Sequence, residues 1–146
     1  MAAAVQPGVR PTMQTAGRLH HVELYVSALE DSLRFWTPFL TKLGYKEHQR
    51  WAKGVSYIFN GTYIVFVQAD AEFVAAGYHR KRIGLNHIAF CASSRRQVDE
   101  ITDWARANGF QILYEDRHPK VGGQYALYCE DPNRIKVELV APEDEA

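Results

Sequence analysis

Cysteine is scarce in this chain, and the two that occur lie far apart. Cys91 and Cys129 are the only ones among 146 residues, and both sit in strand-like runs. That argues against a disulfide framework and for free thiols in a reducing, cytoplasmic setting. Net charge is missing too: 17 basic residues balance 17 acidic ones. Neither nucleic acid nor a membrane surface is therefore an expected partner. No apolar run approaches the roughly 20 residues that a spanning helix requires. What is present is the composition of a globular domain, 47% apolar, 12% aromatic and 23% charged, long enough for one core.

The first 17 residues, MAAAVQPGVRPTMQTAG, hold two prolines, two glycines and no acid, and are expected to form a disordered N-terminal tail. Residues 18–142 are expected to form a single domain. It divides into two similar modules, about 19–69 and 84–142, joined by a linker over 70–83. His21–Val26 alternates polar and apolar, which is the pattern of a strand with one buried face. Ser27–Glu30 resembles a capping box, and Leu29, Leu33, Trp36, Leu40 and Leu43 form a helical stripe that ends at Gly44. Strands follow over 46–51, 55–59 and 62–68, the last two joined by an Asn60-Gly61 hairpin turn. The second module repeats this order. His87–Ala92 alternates in the same phase, and Ser94–Gln97 is a second capping-box pattern. Val98, Ile101, Trp104 and Ala105 form the stripe, with strands expected over 110–115, 125–130 and 135–140. The spacing from His21 to Gly44 matches that from His87 to Gly109 within one residue. The fold class is therefore α+β: two βαβββ modules forming a cup-shaped mixed sheet, with helices outside.

Strand parity separates the neighbouring histidines His20 and His21. Val22, Leu24 and Val26 pack on the helix, so His21, Glu23 and Tyr25 face the other way. His87 is the counterpart of His21. In the last strand Ile135, Val137 and Leu139 are the apolar face, and Glu138 points to the opposite side. If the two sheets form one cup, His21, His87 and Glu138 offer two imidazoles and a carboxylate, a set suited to a divalent first-row metal. The plainer reading of each is a polar strand residue at the surface.

Three stretches, "HHVELYV", "GLNHIAF" and "YCEDPNRIKVELV", occur in order and at matching spacing. By them the chain resembles the vicinal oxygen chelate superfamily of glyoxalases, bleomycin-resistance proteins, fosfomycin-resistance enzymes, epimerases and extradiol dioxygenases. The resemblance implies His21, His87 and Glu138 as ligands of Zn, Ni, Co, Mn or Fe. It also implies a homodimer, with the cup built within one chain or shared between two. Lys120–Gly123 resembles the family's glycine-rich loop. Many members carry a fourth ligand in the first module; matching Val65-Phe66-Val67 to Val137-Glu138-Leu139 puts Phe66 there, with Gln68 as a weaker substitute. Arg134 stands where glycine is usual.

What the resemblance implies is a divalent-metal-dependent lyase or isomerase of the glyoxalase type, acting on a small substrate that chelates the metal through adjacent oxygens. One alternative is an Fe(II) dioxygenase using the same ligands. The other is a non-catalytic small-molecule binder of the bleomycin-resistance type. Glu23 is the candidate catalytic proton shuttle, or else a solvated charge. Tyr25, Phe66, Gln68, Tyr125, Arg117 and Lys120 are candidate pocket residues, as are the Tyr57 and Tyr128 side chains. Tyr78–Arg82 and Arg117–Lys120 either close over an anionic substrate or are solvated loops.

Overall fold

The computed structural model describes residues 16–144. Residues 1–15 of the expected tail lie outside the described residues. The elements run β1 (His21–Val26), α1 (Leu29–Lys42), β2 (Lys46–Trp51), β3 (Gly54–Phe59), β4 (Thr62–Gln68), α2 (Ala71–Val74), β5 (His87–Cys91), α3 (Arg95–Ala107), β6 (Lys120–Val121), β7 (Gln124–Glu130) and β8 (Lys136–Val140). They form two four-stranded mixed sheets, ordered β1-β4-β3-β2 and β5-β8-β7-β6. In each, the first strand of the module runs parallel to the last, and the others are antiparallel. The repeat read from the sequence is thus present as two copies of one topology. β1 and β5 are edge strands in this chain.

The helices cover one face of the sheets because their apolar stripes have nowhere else to go. On α1, Phe35, Trp36, Phe39 and Leu40 are fully buried. Trp36 packs on Phe66 of β4, and Phe39 packs on Phe90 of β5. Phe35 reaches Trp104 of α3 and Phe110. One core therefore joins the modules. Removing one such aromatic costs about 3–5 kcal/mol. Two polar clasps reinforce the junction. The Trp36 indole N–H donates to Asp131 Oδ2 at 2.9 Å, and the Asn133 side-chain amide donates to Ser27 Oγ at 2.6 Å. Asp131 Oδ1 also accepts the backbone N–H groups of Asn133 and Ile135, which fixes the turn into β8.

Two local expectations fail. The capping box at Ser27 does not form: α1 begins after Ala28, whose side chain caps nothing. The Ser27 hydroxyl is committed to Asn133, and the first free N–H, that of Leu29, donates instead to Gln68 Oε1 at 2.9 Å. In α3 the expected cap does form, with Ser94 Oγ accepting from the Gln97 N–H. The strand expected over 110–115 is reduced to a single bridge, Ile112 to Cys129. Tyr114 adopts a left-handed backbone, with φ of 56°, and the chain turns there rather than extending. The short sixth strand lies further on, at Lys120–Val121.

Candidate metal centre

Each sheet has an open face turned away from the helices, and the registers decide what it carries. In sheet two, Glu138 pairs with Ala89 on one side and Tyr128 on the other. Lys136 pairs with His87 and Glu130. Glu138 is only 6% exposed. Its Oε2 lies 3.1 Å from His87 Nε2, and the Tyr128 hydroxyl is directed at the same carboxylate. Burial, then that interaction, pushes the Tyr128 phenol up to about 12, so it stays neutral.

The other nitrogen of His87 decides what the pair can bind. His87 Nδ1 lies 2.8 Å from Asn86 Oδ1. The Asn86 amide is oriented by its nitrogen, which donates to the Arg80 carbonyl at 3.1 Å. Asn86 therefore presents its oxygen, and His87 must donate from Nδ1. A singly protonated ring then turns the Nε2 lone pair on the Glu138 carboxylate. Two acceptors face one another at hydrogen-bond distance. A cation between them, or a second proton on the ring, relieves that arrangement. Orienting a ligating imidazole through its far nitrogen is common in metal sites, so the donors fit a divalent ion.

Around this pair lie groups that sequence reading missed or only touched. Tyr114 packs edge-on against Tyr128 at 5.4 Å. The Lys136 ammonium lies 3.3 Å from the Tyr114 hydroxyl, and the Arg117 guanidinium lies over the Tyr114 ring at 5.0 Å. Asn86 sits beside His87 in "GLNH", so its place was visible in the sequence. Tyr114 gave no signal, because it falls in a segment that reads as strand.

His21 is not part of this cluster. Among the described residues no group of three or more His, Cys, Asp or Glu side chains is placed to hold a metal ion. His21 lies on the open face of sheet one, stacked flat on Tyr63 at 4.7 Å. Its Nδ1 is 2.8 Å from His20 Nδ1, so one ring donates and the other accepts. His20 thus helps to fix the His21 ring. Glu23 is exposed on the same face. It borders a cavity of about 300 Å³ with Tyr25, Tyr78, His79, Arg82 and Ile83. Tyr25, 63% exposed, also borders a larger cavity of about 500 Å³ with Phe73, Tyr78 and Asn133.

Five expected pocket residues are elsewhere. Tyr57 is buried on the helix side, its hydroxyl 2.6 Å from Thr37 Oγ1 of α1. Phe66 is fully buried against Trp36. The match that placed it opposite Glu138 was one residue out of register. Counting from the parallel pairs, Glu23 is opposite Val65 just as Ala89 is opposite Glu138. The fourth-ligand position is therefore Val65, which cannot ligate. Gln68 shares the helix-side parity with Val26. Both ends of its amide are used by backbone groups of Ser27, Leu29 and Ala69. Tyr125 is on the helix side, its hydroxyl donating to Asp99 of α3 at 2.6 Å. Lys120 lies over the Tyr125 ring, away from Glu138. Arg117 alone of the two basic candidates reaches the neighbourhood of the pair.

The profile of the Glyoxalase/Bleomycin resistance protein/Dioxygenase superfamily matches residues 18–139. The chain belongs to that superfamily. The uncharacterized protein YqjT of Bacillus subtilis (strain 168) is 56% identical over 126 residues, covering 85% of this chain and 98% of the relative. The crystal structure of a candidate glyoxalase from Bacillus halodurans is 55% identical. It superposes with a TM-score of 0.86 over 87% of this chain and 97% of that one. A Glu-to-Gln variant of the fosfomycin resistance protein FosX of Listeria monocytogenes, complexed with Mn(II) and 1S,2S-dihydroxypropylphosphonic acid, is 25% identical. Its TM-score is 0.60 over 85% of this chain and 89% of that one. The superfamily fold accounts for the paired modules and for two sheets with open faces.

Proposed function

We propose that this superfamily member is a divalent-metal-dependent enzyme of the glyoxalase type, a lyase or isomerase, acting on a small substrate through adjacent oxygens. The observation that carries the reading is the His87–Glu138 pair, an imidazole Nε2 3.1 Å from a buried carboxylate oxygen, with Asn86 at the far ring nitrogen and Tyr128 beside the carboxylate. The Mn(II) in the FosX complex supports the same reading. His87 and Glu138 would hold the ion together with His21 of a second copy. The site would then be shared across a homodimer, because among the described residues one chain brings only two such donors together. Bound there, a divalent ion supplies Lewis acidity to substrate oxygens. The chain's own groups do the rest. Asn86 holds the His87 tautomer, and Tyr128 holds the Glu138 carboxylate. Lys136 sets positive charge beside them, and Glu23 of the second copy, two residues along the strand from that copy's His21, takes or returns a proton.

The test is reconstitution with Zn, Ni, Co, Mn and Fe(II), followed by elemental analysis. Wild type should retain a stoichiometric ion, and His87→Ala and Glu138→Gln should each lose most of it. Retention of iron with oxygen uptake would turn the reading to the dioxygenase. Failure of wild type to retain any ion would turn it to the binder.

A further inference from the structure

The linker and the β7–β8 turn meet in a second site. A cavity of about 180 Å³ is lined by Tyr78, His79, Arg80, Lys81 and Arg134. Its charge is unbalanced. Three permanent cations, Arg80, Lys81 and Arg134, face one carboxylate. That carboxylate, Glu130, is engaged by Arg80 at 2.6 Å and stands 3.7 Å from the Arg134 Nε. Asp131 is nearby in sequence but is buried and turned to Trp36. The lining is held in shape. The Tyr78 hydroxyl donates to the Leu85 carbonyl at 2.6 Å, closing the linker into a loop. His79 Nδ1 accepts the Lys81 backbone N–H, which leaves the His79 Nε2 with its proton, a further donor.

Arg134 is the telling residue. It follows the Asp131-Pro132-Asn133 turn with a φ of 65°, a left-handed conformation that costs an arginine about 1–2 kcal/mol and a glycine almost nothing. A conformational cost borne by a residue that brings a guanidinium to a basic cavity points to a use for that charge.

We propose that this cavity binds a phosphoryl group. Guanidinium forks suit its oxygens, an ammonium adds charge, and the volume admits a small oxyanion. The cavity shares Tyr78 and His79 with the one that Glu23 borders. Arg80, one of its walls, also orients Asn86 and through it His87. The phosphoryl group is therefore either free phosphate or the anionic end of a longer substrate whose other end reaches toward Glu23. The site does not depend on a metal at His87 and Glu138.

The test is titration of the full chain with inorganic phosphate and with phenyl phosphate, followed by calorimetry and by the histidine ring signals in NMR. Wild type should bind phosphate saturably in the millimolar range. Arg134→Gly and Lys81→Met should each weaken binding about tenfold, the usual worth of a charge-assisted contact. Lys53→Met, whose ammonium lies near Asp70 elsewhere, should bind as wild type does. Arg134→Gly also relieves the left-handed backbone, so its thermal midpoint should hold or rise, which separates lost binding from lost fold. His87→Ala should keep phosphate affinity even if it loses every metal. Tighter binding of phenyl phosphate with a shifted His87 signal supports the site and assigns it to a substrate's end. Equal binding without that shift supports the site and assigns it to the free ion. No saturable binding to wild type, or undiminished binding to both cavity variants, overturns the proposal.

Discussion

Modules one and two share an order of elements, a parallel first-and-last strand pair and a capless or capped helix on the same side. Their open faces differ. Module two carries a buried carboxylate, an oriented imidazole and two tyrosines in contact. Module one carries one stacked imidazole, an exposed carboxylate and Val65 where its twin has Glu138. The two halves share a topology and one core but present different side chains on their open faces. Module two holds two of the three candidate ligands; module one holds His21, with His20 and His48 against the same Tyr63 ring, and the free acid.

The sharpest way to break this division is to disarm the free acid. Glu23→Gln keeps size and removes basicity. Turnover on an identified substrate should fall by about two to four orders of magnitude, while metal content stays at the wild-type level. Loss of metal would make Glu23 a ligand and erase the difference between the halves; unchanged turnover would leave module one with no proton-transfer role.

Subunit mixing measures the next effect. His21→Ala and His87→Ala should each abolish stoichiometric metal binding. Unfolded together and refolded as a mixture, they should recover about a quarter of wild-type sites, because half the dimers are hybrid and each hybrid has one intact site of two. No recovery, with both variants folded, would mean that the donors of one site come from one chain.

A smaller effect tests how firmly the halves are joined. Asp131, which takes the Trp36 N–H from the other module, has its carboxyl pushed by burial from 3.8 up to about 6, against three N–H donors. The folded state therefore holds that proton more tightly than the unfolded one. The contribution is fully present below about pH 4 and is lost as pH rises through 6, by up to about 3 kcal/mol. Urea unfolding of wild type, referenced to Asp131→Asn, should show stability falling across that window. A rise toward neutral pH would show that the N–H donors outweigh burial.

Much of this was legible in the sequence, for reasons that particular residues make plain. The β1 alternation, both helical stripes and the Asn60-Gly61 turn are local patterns, and the turn has the positive φ values, 49° and 79°, that such a pair favours. His87 and Glu138 followed from parity, since a strand's period of two leaves few choices. Phe66 and Tyr125 were misplaced for the same reason in reverse. Each is an odd number of residues from the open-face position, Val65 or Tyr128, and an error of one residue or of three flips the face. Asn86 and Arg134 act through hydrogen-bond direction and backbone handedness, which residue type alone does not display. Tyr114 was hidden because an apolar stretch gives no notice of a left-handed turn inside it.

The parallel pairing of first and last strands also has a consequence for how the chain is made. Neither sheet is closed until its final strand exists: Gln68 for the first module, Val140 for the second. During synthesis the first module can complete its hydrogen-bonded ladder as soon as residue 68 has emerged. The Trp36 indole must then wait some sixty residues more for Asp131, and Phe35 and Phe39 for Phe110 and Phe90. A nascent chain paused in the linker would thus expose an aromatic-rich helix surface. That makes the interval between the modules, rather than either module itself, the stretch of translation in which a chaperone has most to shield.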